Sequence, residues 1–312
     1  MTRFPHYLQV DVFSHSAGGG NPLGVVVDPQ GWSDGDMQTF AAWTGLVETT
    51  FVFAPSNPDA SYLLRIFTPT REIPFAGHPT IGSAHAVLET QFAPLRDGGL
   101  VQECRAGLLP IRVEHDARIQ QLFVQAPPAR VIREGTDGEP LLKTLLNDIE
   151  PGALPPAFVE GGRRWWVTEF ATEAALRAWA PDHATIAELA RTTDCLGLCA
   201  FARAARTTDD DPGYDLVVRA FPAGVGIVED PASGAANGLI AAWIGLREPN
   251  GPLARGYRVS QGREIGRDAS IVIRIDGQHV WVGGRSHTIV RGTTEWPASD
   301  PMKKPRTSPP GV

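Results

Sequence analysis

The sequence predicts an α/β protein, of the segregated α+β kind, made of two like halves. Three observations carry that expectation. The stretches Arg65 to Leu88 and Arg219 to Trp243 resemble each other: each opens on Arg-x-Phe, crosses a turn rich in Pro and Gly, and ends in Ala, Gly and apolar residues at helical spacing. Matching Pro79 to Pro231 sets the copies 152 residues apart, about half of the 312-residue chain. A second pair, Gln102 to Gly107 and Gln261 to Gly266, repeats at an offset of 159. So long a period fits two equivalent domains better than a solenoid of short units. The expected division is 1–128, then 129–296, with 297–312 a disordered tail of Pro, Lys, Arg and Ser that has little to bury.

Taken in order, Tyr7 to Phe13 reads as a first strand, and the Ala17-Gly18-Gly19-Gly20 turn leads into Asn21-Pro22 and a Val25 to Val27 strand. The glycine run lacks the Gly-Lys-Ser/Thr ending of a phosphate loop, so it is read as a turn. A helix is expected from Asp34 to Trp43 with Ser33 as its N-cap. Val47 to Phe53 is a β-type run with Glu48 at its head, where a carboxylate can equally be an outward-facing strand residue. Tyr62 to Thr68 is a strand, and the first helix of the repeat is placed after Pro79, because proline lacks an amide that would have no partner at a helix start. Leu100 to Val113 and Gln121 to Gln125 complete the first half.

From Pro127-Pro128 the chain crosses over, with a helical stretch Glu139 to Leu146 and a Pro-rich linker to Pro156. Arg163-Arg164-Trp165-Trp166 lies in a strand-like run whose tryptophans belong to a core or an interface. Ala174 to Ala180 and Ile186 to Arg191 look helical, Leu196 to Ala202 and Tyr214 to Phe221 look like strands. The second helix of the repeat is expected after Pro231, and Val280 to Val290 alternates like one closing strand.

Composition bounds the function. A net charge of −7 argues against general affinity for nucleic acid, and 42% hydrophobic with 20% charged residues describes a soluble globular chain. No apolar run approaches transmembrane length and the start shows no signal-peptide pattern, so a cytoplasmic protein without membrane association is expected. Cys104, Cys195 and Cys199 are too few for a disulfide framework, and no His/Cys cluster has zinc spacing, so neither disulfide nor metal is expected. Each helix of the repeat presents free backbone N–H groups and the positive end of a dipole, which suits a carboxylate. Two such ends facing one cleft would hold a small acidic molecule.

The motifs G-N-P-L-G-V-V, V-E-T-T-F-V, R-I-F-T-P with I-P-F-A-G-H-P-T-I-G-S-A, E-D-P-A-S-G-A-A and Q-G-R-E-I-G-R resemble those of the PhzF-like phenazine-biosynthesis isomerase family, in its order, from about residue 8 to 292. The resemblance implies a diaminopimelate epimerase-like fold: two pseudo-symmetric domains, each a curved, mostly antiparallel sheet wrapped around a central helix, with the active site between them. It implies no cofactor, a tendency to form homodimers, and isomerisation by proton transfer on a substrate such as trans-2,3-dihydro-3-hydroxyanthranilate. The family's acid/base Glu falls on Glu48, its His on His78 and its Asp on Asp230. Backbone at Gly77, His78, Gly234 and Ala235, with Asn21, would hold a substrate carboxylate. Two positions depart from the family: Ala235 stands for the serine after the glycine, and Val47 for the serine before the Glu. Ser233 is a candidate replacement for the lost hydroxyl. The three cysteines match none of the places of the cysteine pair used by the epimerase relatives. An isomerase acting on a different or modified small acid in specialised metabolism is the expectation. Epimerisation of a small acid and ligand binding without catalysis stay as alternatives.

Overall fold

The computed structural model describes residues 4–116, 119–204 and 213–296; the expected tail 297–312 lies outside the described residues. The first half runs β1 (His6–Val12), β2 (Asn21–Val27), α1 (Asp34–Thr44), β3 (Thr49–Phe53), β4 (Tyr62–Phe67), a short β5 (Glu72–Ile73), α2 (Gly77–Glu89), β6 (Gly99–Cys104), β7 (Gly107–Asp116) and β8 (Ile119–Gln125). The second runs β9 (Arg130–Glu134), α3 (Pro140–Leu145), β10 (Ala157–Gly161), β11 (Arg163–Glu169), α4 (Glu173–Ala178), α5 (His183–Thr192), β12 (Gly197–Arg203), β13 (Leu216–Phe221), α6 (Gly234–Arg247), β14 (Gly256–Gln261), β15 (Ala269–Asp276), β16 (His279–Gly284) and β17 (Ser286–Thr293).

The ladders of the two halves correspond one to one. β1–β2 is antiparallel, β2–β3 parallel, β3–β4 antiparallel, β4–β6 parallel, β6–β7 and β7–β8 antiparallel. The same sequence of senses runs through β10–β11, β11–β12, β12–β13, β13–β14, β14–β15 and β15–β16. The parallel steps are those that need a crossover. Helix α1, or α4 with α5, makes the first crossover; α2, or α6, makes the second. The halves join where β8 pairs with β16. Val280 to Val290 is two strands rather than one: it breaks at Arg285, and β17 leaves β16 to pair with β1 of the first half. The crossing segment 129–160, read as a helix and a linker, also contains β9 and β10, which pair with each other.

Each crossover helix is surrounded by its own half. α2 packs against β1, β2, β3 and β8, and α6 against β10, β11, β15 and β16. His78 through Ala84 are all buried on α2, and Ala236 through Ala241 on α6, so both helices are covered on every face. This explains the small residues: a Cβ on Gly82 would stand 2.6 Å from Leu23 Cδ2 and 2.7 Å from Val12 Cγ2. Trp165 and Trp166 are fully buried, and Phe158 stacks on Trp166 at 4.8 Å. Full burial of such side chains is worth about 1.5–3 kcal/mol each.

The buried polar groups repeat as faithfully as the strands. Arg65 makes a two-bond ion pair with Glu72, and Arg219 makes one with Glu229. Gln102 bonds Thr80 on α2 at 3.2 Å, and Gln261 bonds Asn237 on α6 at 2.9 Å. These pairs correct the register read from the prolines. Gly77 corresponds to Gly234, the first residue of each helix, and Pro79 does not correspond to Pro231. Pro79 is the third residue of α2, while Pro231 precedes the Ser233 N-cap of α6.

Candidate active site

The two crossover helices meet start to start. A Cβ built on Gly77 would lie 3.6 Å from Gly234 Cα, and one built on Gly234 would lie 3.6 Å from Gly77 Cα. Glycine at both places keeps that gap open. At α2 the cap residue Ala76 offers no side-chain bond, and Pro79 has no amide. At α6 the Ser233 hydroxyl accepts from Ala236 N at 3.3 Å. Among the described residues, the amides of Gly77, His78, Gly234 and Ala235 donate to nothing. Four free N–H groups therefore converge at the positive ends of two helices. Phe13, held at a left-handed φ of 61°, brings its ring to the same place: its Cζ is 3.9 Å from a Cβ built on Gly234.

Glu48 reaches this gap from the first half. Helix α1 ends on Gly45, whose φ of 65° turns the chain back, and three residues later Glu48 stands just before β3. The strand is tied to α2 through Thr50 and Ser83 at 2.8 Å. His78, second residue of α2, points Nε2 at Glu48 Oε2 from 3.6 Å. Both atoms are buried and neither has a hydrogen-bond partner. Burial, and then the charge of Asp230, push the Glu48 carboxyl up to about 8. Burial pushes His78 down to about 3. The spacing is that of an ion pair, but at neutral pH both partners are neutral, and burial decides the matter.

Asp230 arrives from the second half, just beyond the Glu229 that Arg219 anchors. Its amide donates to Ala220 O at 2.9 Å, and Gln261 Nε2 donates to its carbonyl at 2.8 Å. Its carboxyl is pushed up to about 6 by burial; the Ala232 amide, the Ser233 hydroxyl and Asn21 pull the other way. Asn21 Nδ2 donates to Asp230 Oδ1 at 2.9 Å and to Ala232 O at 3.1 Å. Its donors are thereby committed, and only Oδ1 is left, buried and unpartnered. Asn21 was expected to help hold a carboxylate; here both of its donors are engaged, and the atom left over is an acceptor. Ser233 is likewise engaged, as a cap and as a partner of Asp230.

Gln261 is a residue of this site that the sequence marked only as part of the repeat. It accepts from Ser233 N at 3.3 Å and from Asn237, and fixes the Asp230 loop. The site is asymmetric about the facing helices. Thr49 pairs with Phe67 as Leu198 pairs with Phe221, so Gly197 stands where Glu48 stands in the first half. A Cβ on Gly197 would lie 1.9 Å from Phe221 O, so no side chain fits there. Cys104, Cys195 and Cys199 are buried away in the cores, and burial pushes the Cys199 and Cys195 thiols up. The glycine run is also occupied: Gly18 and Gly20 donate to Asp11 Oδ2. Among the described residues, no three His, Cys, Asp or Glu side chains come together, and no helix is long and apolar enough to cross a membrane.

Comparison with known proteins agrees with this architecture. The family model described as "Phenazine biosynthesis-like protein" (PhzC-PhzF) matches residues 10–293. The chain belongs to the PhzC/PhzF family. Among curated family relatives, trans-2,3-dihydro-3-hydroxyanthranilate isomerase of Pseudomonas chlororaphis is 31% identical over 294 residues, covering 92% of this chain and 98% of the relative. Antisense-enhancing sequence 1 of Schizosaccharomyces pombe is 29% identical over 296 residues, covering 92% and 97%. A crystal structure of a PhzF-family protein from Bacillus anthracis superposes with a TM-score of 0.80 at 21% identity, covering 94% of this chain and 99% of that one. The fold is that of the PhzF and diaminopimelate epimerase-like proteins, and the protein is an isomerase of the PhzC/PhzF family.

Proposed function

We propose that this isomerase moves a proton, and with it a double bond, on a small cyclic or conjugated amino or carboxylic acid, as the name trans-2,3-dihydro-3-hydroxyanthranilate isomerase describes for its relative. The observation that carries the reading is Glu48: a carboxyl group pushed up to about 8, beside a neutral His78 and facing Asp230 across the gap. A carboxylate at its ordinary value is too weak a base to take a proton from carbon at neutral pH; one near 8 is far better matched. In the reaction the ionised form of Glu48, the minor one at neutral pH, takes the C–H proton, the electron pair moves into the conjugated system, and Glu48 returns the proton to another carbon. Nothing is oxidised or reduced, and no second base is required.

The substrate carboxylate sits on the amides of Gly77, His78, Gly234 and Ala235. An amino or hydroxyl group donates to Asp230 and to Asn21 Oδ1, the acceptor that lacks a partner. His78, neutral, accepts or donates at Nε2 and holds the Glu48 proton in place. Ala235 and Val47 present no hydroxyl, so a substrate that asks for fewer hydrogen bonds at those two places is favoured. A homodimer working in the cytoplasm in specialised metabolism completes the proposal. Gly197 weighs against epimerisation by paired bases, because the place matching Glu48 cannot hold one.

The test is NMR and ultraviolet absorbance in deuterium oxide with trans-2,3-dihydro-3-hydroxyanthranilate and related cyclic amino acids. Deuterium should enter at a new carbon as the chromophore changes. Glu48→Gln, which keeps the shape but cannot carry the proton, should lower turnover by ~10²–10⁴-fold. Deuterium at one inverted stereocentre would point to an epimerase, and wild-type exchange by folded Glu48→Gln would place the base elsewhere.

A further inference from the structure

Beyond the gap between the helices, a cavity of about 170 Å³ opens at the seam of the two halves. Its walls are the turn Ser14-His15 after β1, Gln121 on β8, Arg258 on β14, Ser270 on β15 and Arg285 at the break between β16 and β17. Backbone bonds fix the turn to this seam: Ser14 N donates to Arg285 O at 3.0 Å, and Ser270 N donates to Phe13 O at 2.8 Å. The cavity therefore draws on strands from both halves.

Among the described residues, neither Arg258 nor Arg285 makes an ion pair, although most arginines of this chain do. Asp268 is engaged by Arg263 at 2.7 Å, and Asp215 accepts from the Arg258 backbone amide at 2.9 Å. Both guanidiniums are felt at His15, whose pKa is lowered by burial and then by Arg285, with Asp268 opposing and Arg258 adding a smaller push. Gln121 adds a buried amide end with no partner, and turning that amide over presents its N–H groups at the same point. Two unpaired guanidiniums, a hydroxyl and an amide around a water-accessible hollow match a tetrahedral dianion in charge and in donors.

We propose that this cavity binds a phosphate group. The two arginines supply forked donors, Ser270 and Gln121 supply neutral ones, and the charge of the dianion neutralises both guanidiniums. The site is separate from the Glu48 gap, so it stands or falls independently of the catalytic reading.

The experiment uses the full chain. Phosphate binding is measured by calorimetry and by thermal unfolding, against chloride at matched ionic strength. The expected result is saturable stabilisation by phosphate that chloride does not give. Arg258→Gln and Arg285→Gln, both at solvent-accessible positions, should each weaken binding about tenfold, the loss of one charge-assisted hydrogen bond, while Arg285→Lys keeps part of it. Glycerol 3-phosphate in place of inorganic phosphate separates the sources: tighter binding of the ester assigns the site to an esterified phosphate, and tighter binding of the free ion assigns it to inorganic phosphate. Equal stabilisation by phosphate and chloride, or phosphate binding that both glutamine variants leave unchanged, overturns the proposal.

Discussion

Keeping Glu48 protonated at neutral pH works against the stability of the folded chain, and the direction can be worked out. In the unfolded chain the group titrates near 4.5, and in the fold at about 8. Below 4.5 both states hold the proton and nothing is lost. Between 4.5 and 8 only the folded state holds it, so stability falls as pH rises, by about 1.4 kcal/mol for each unit crossed. Glutamine imitates the protonated acid at every pH. Glu48→Gln should therefore melt at about the wild-type temperature at pH 4.5 and progressively higher than wild type toward pH 8. A difference in melting temperature that stays constant across this range would mean that Glu48 is not held up. Asp230 acts through its charge, since it helps to raise Glu48. Asp230→Asn should lower kcat and move the rising limb of the kcat/KM profile to lower pH, read by initial rates from pH 5 to 9. The residues that meet at the gap were named from motifs that resemble a family's, and an upward shift of Glu48 was to be expected from a neighbouring Asp230, but the depth of its burial was not legible. Burial of Glu48 depends on α2 and the Asp230 loop closing over it, contacts that no local sequence window contains. The partner of Asn21 was hidden for the same reason: one of its donors is engaged by a residue 209 positions away.

At the scale of the element, the two helix starts separate binding from folding. Gly77→Ala places a methyl group 3.6 Å from Gly234 Cα, an ordinary contact distance, inside the space meant for a carboxylate. It should raise KM strongly and leave the melting temperature nearly unchanged. Gly82→Ala, one and a half turns along the same helix, drives a methyl group into Val12 and Leu23 at under 3 Å. It should cost about 1–3 kcal/mol by urea unfolding, as overpacked cores do. If both variants lost stability alike, the gap at Gly77 would be core rather than cleft. The pair of helices was foreseen from apolar spacing, and their register was not. Proline drew the eye because it is rare and stiff, yet the start of α6 is set by the Ser233 cap, three residues before which Asp230 is already in its loop. The better rulers were the side-chain pairs, Arg65 with Glu72 and Arg219 with Glu229, because an ion pair must be conserved in three dimensions and a proline need not be.

For the whole molecule, the return of β17 to β1 is the feature that the alternation of Val280 to Val290 hid, since a strand that changes partners keeps its polarity pattern. We propose that the units are residues 1–128 completed by 286–293, and 129–284. The junction is reinforced by side chains: Thr288 and Arg291 of β17 both donate to Glu89 at the end of α2, and His85 lies 3.0 Å from Thr288. A fragment 1–128 should expose one edge of β1 and one of β8 and aggregate when made alone. Co-expression with 129–296 should return it to solution as a folded complex, measured by size-exclusion chromatography and circular dichroism. A fragment that folds by itself would show that β17 is dispensable. The same strand has a consequence for birth of the protein on the ribosome. Most two-part chains finish their first part while the second is still being made. Here the strand that completes the first part, Ser286–Thr293, is made only after every other strand of both parts. Until β17 has been made, the nascent chain carries an open β1 edge that neighbours on the same message, or a chaperone, can reach.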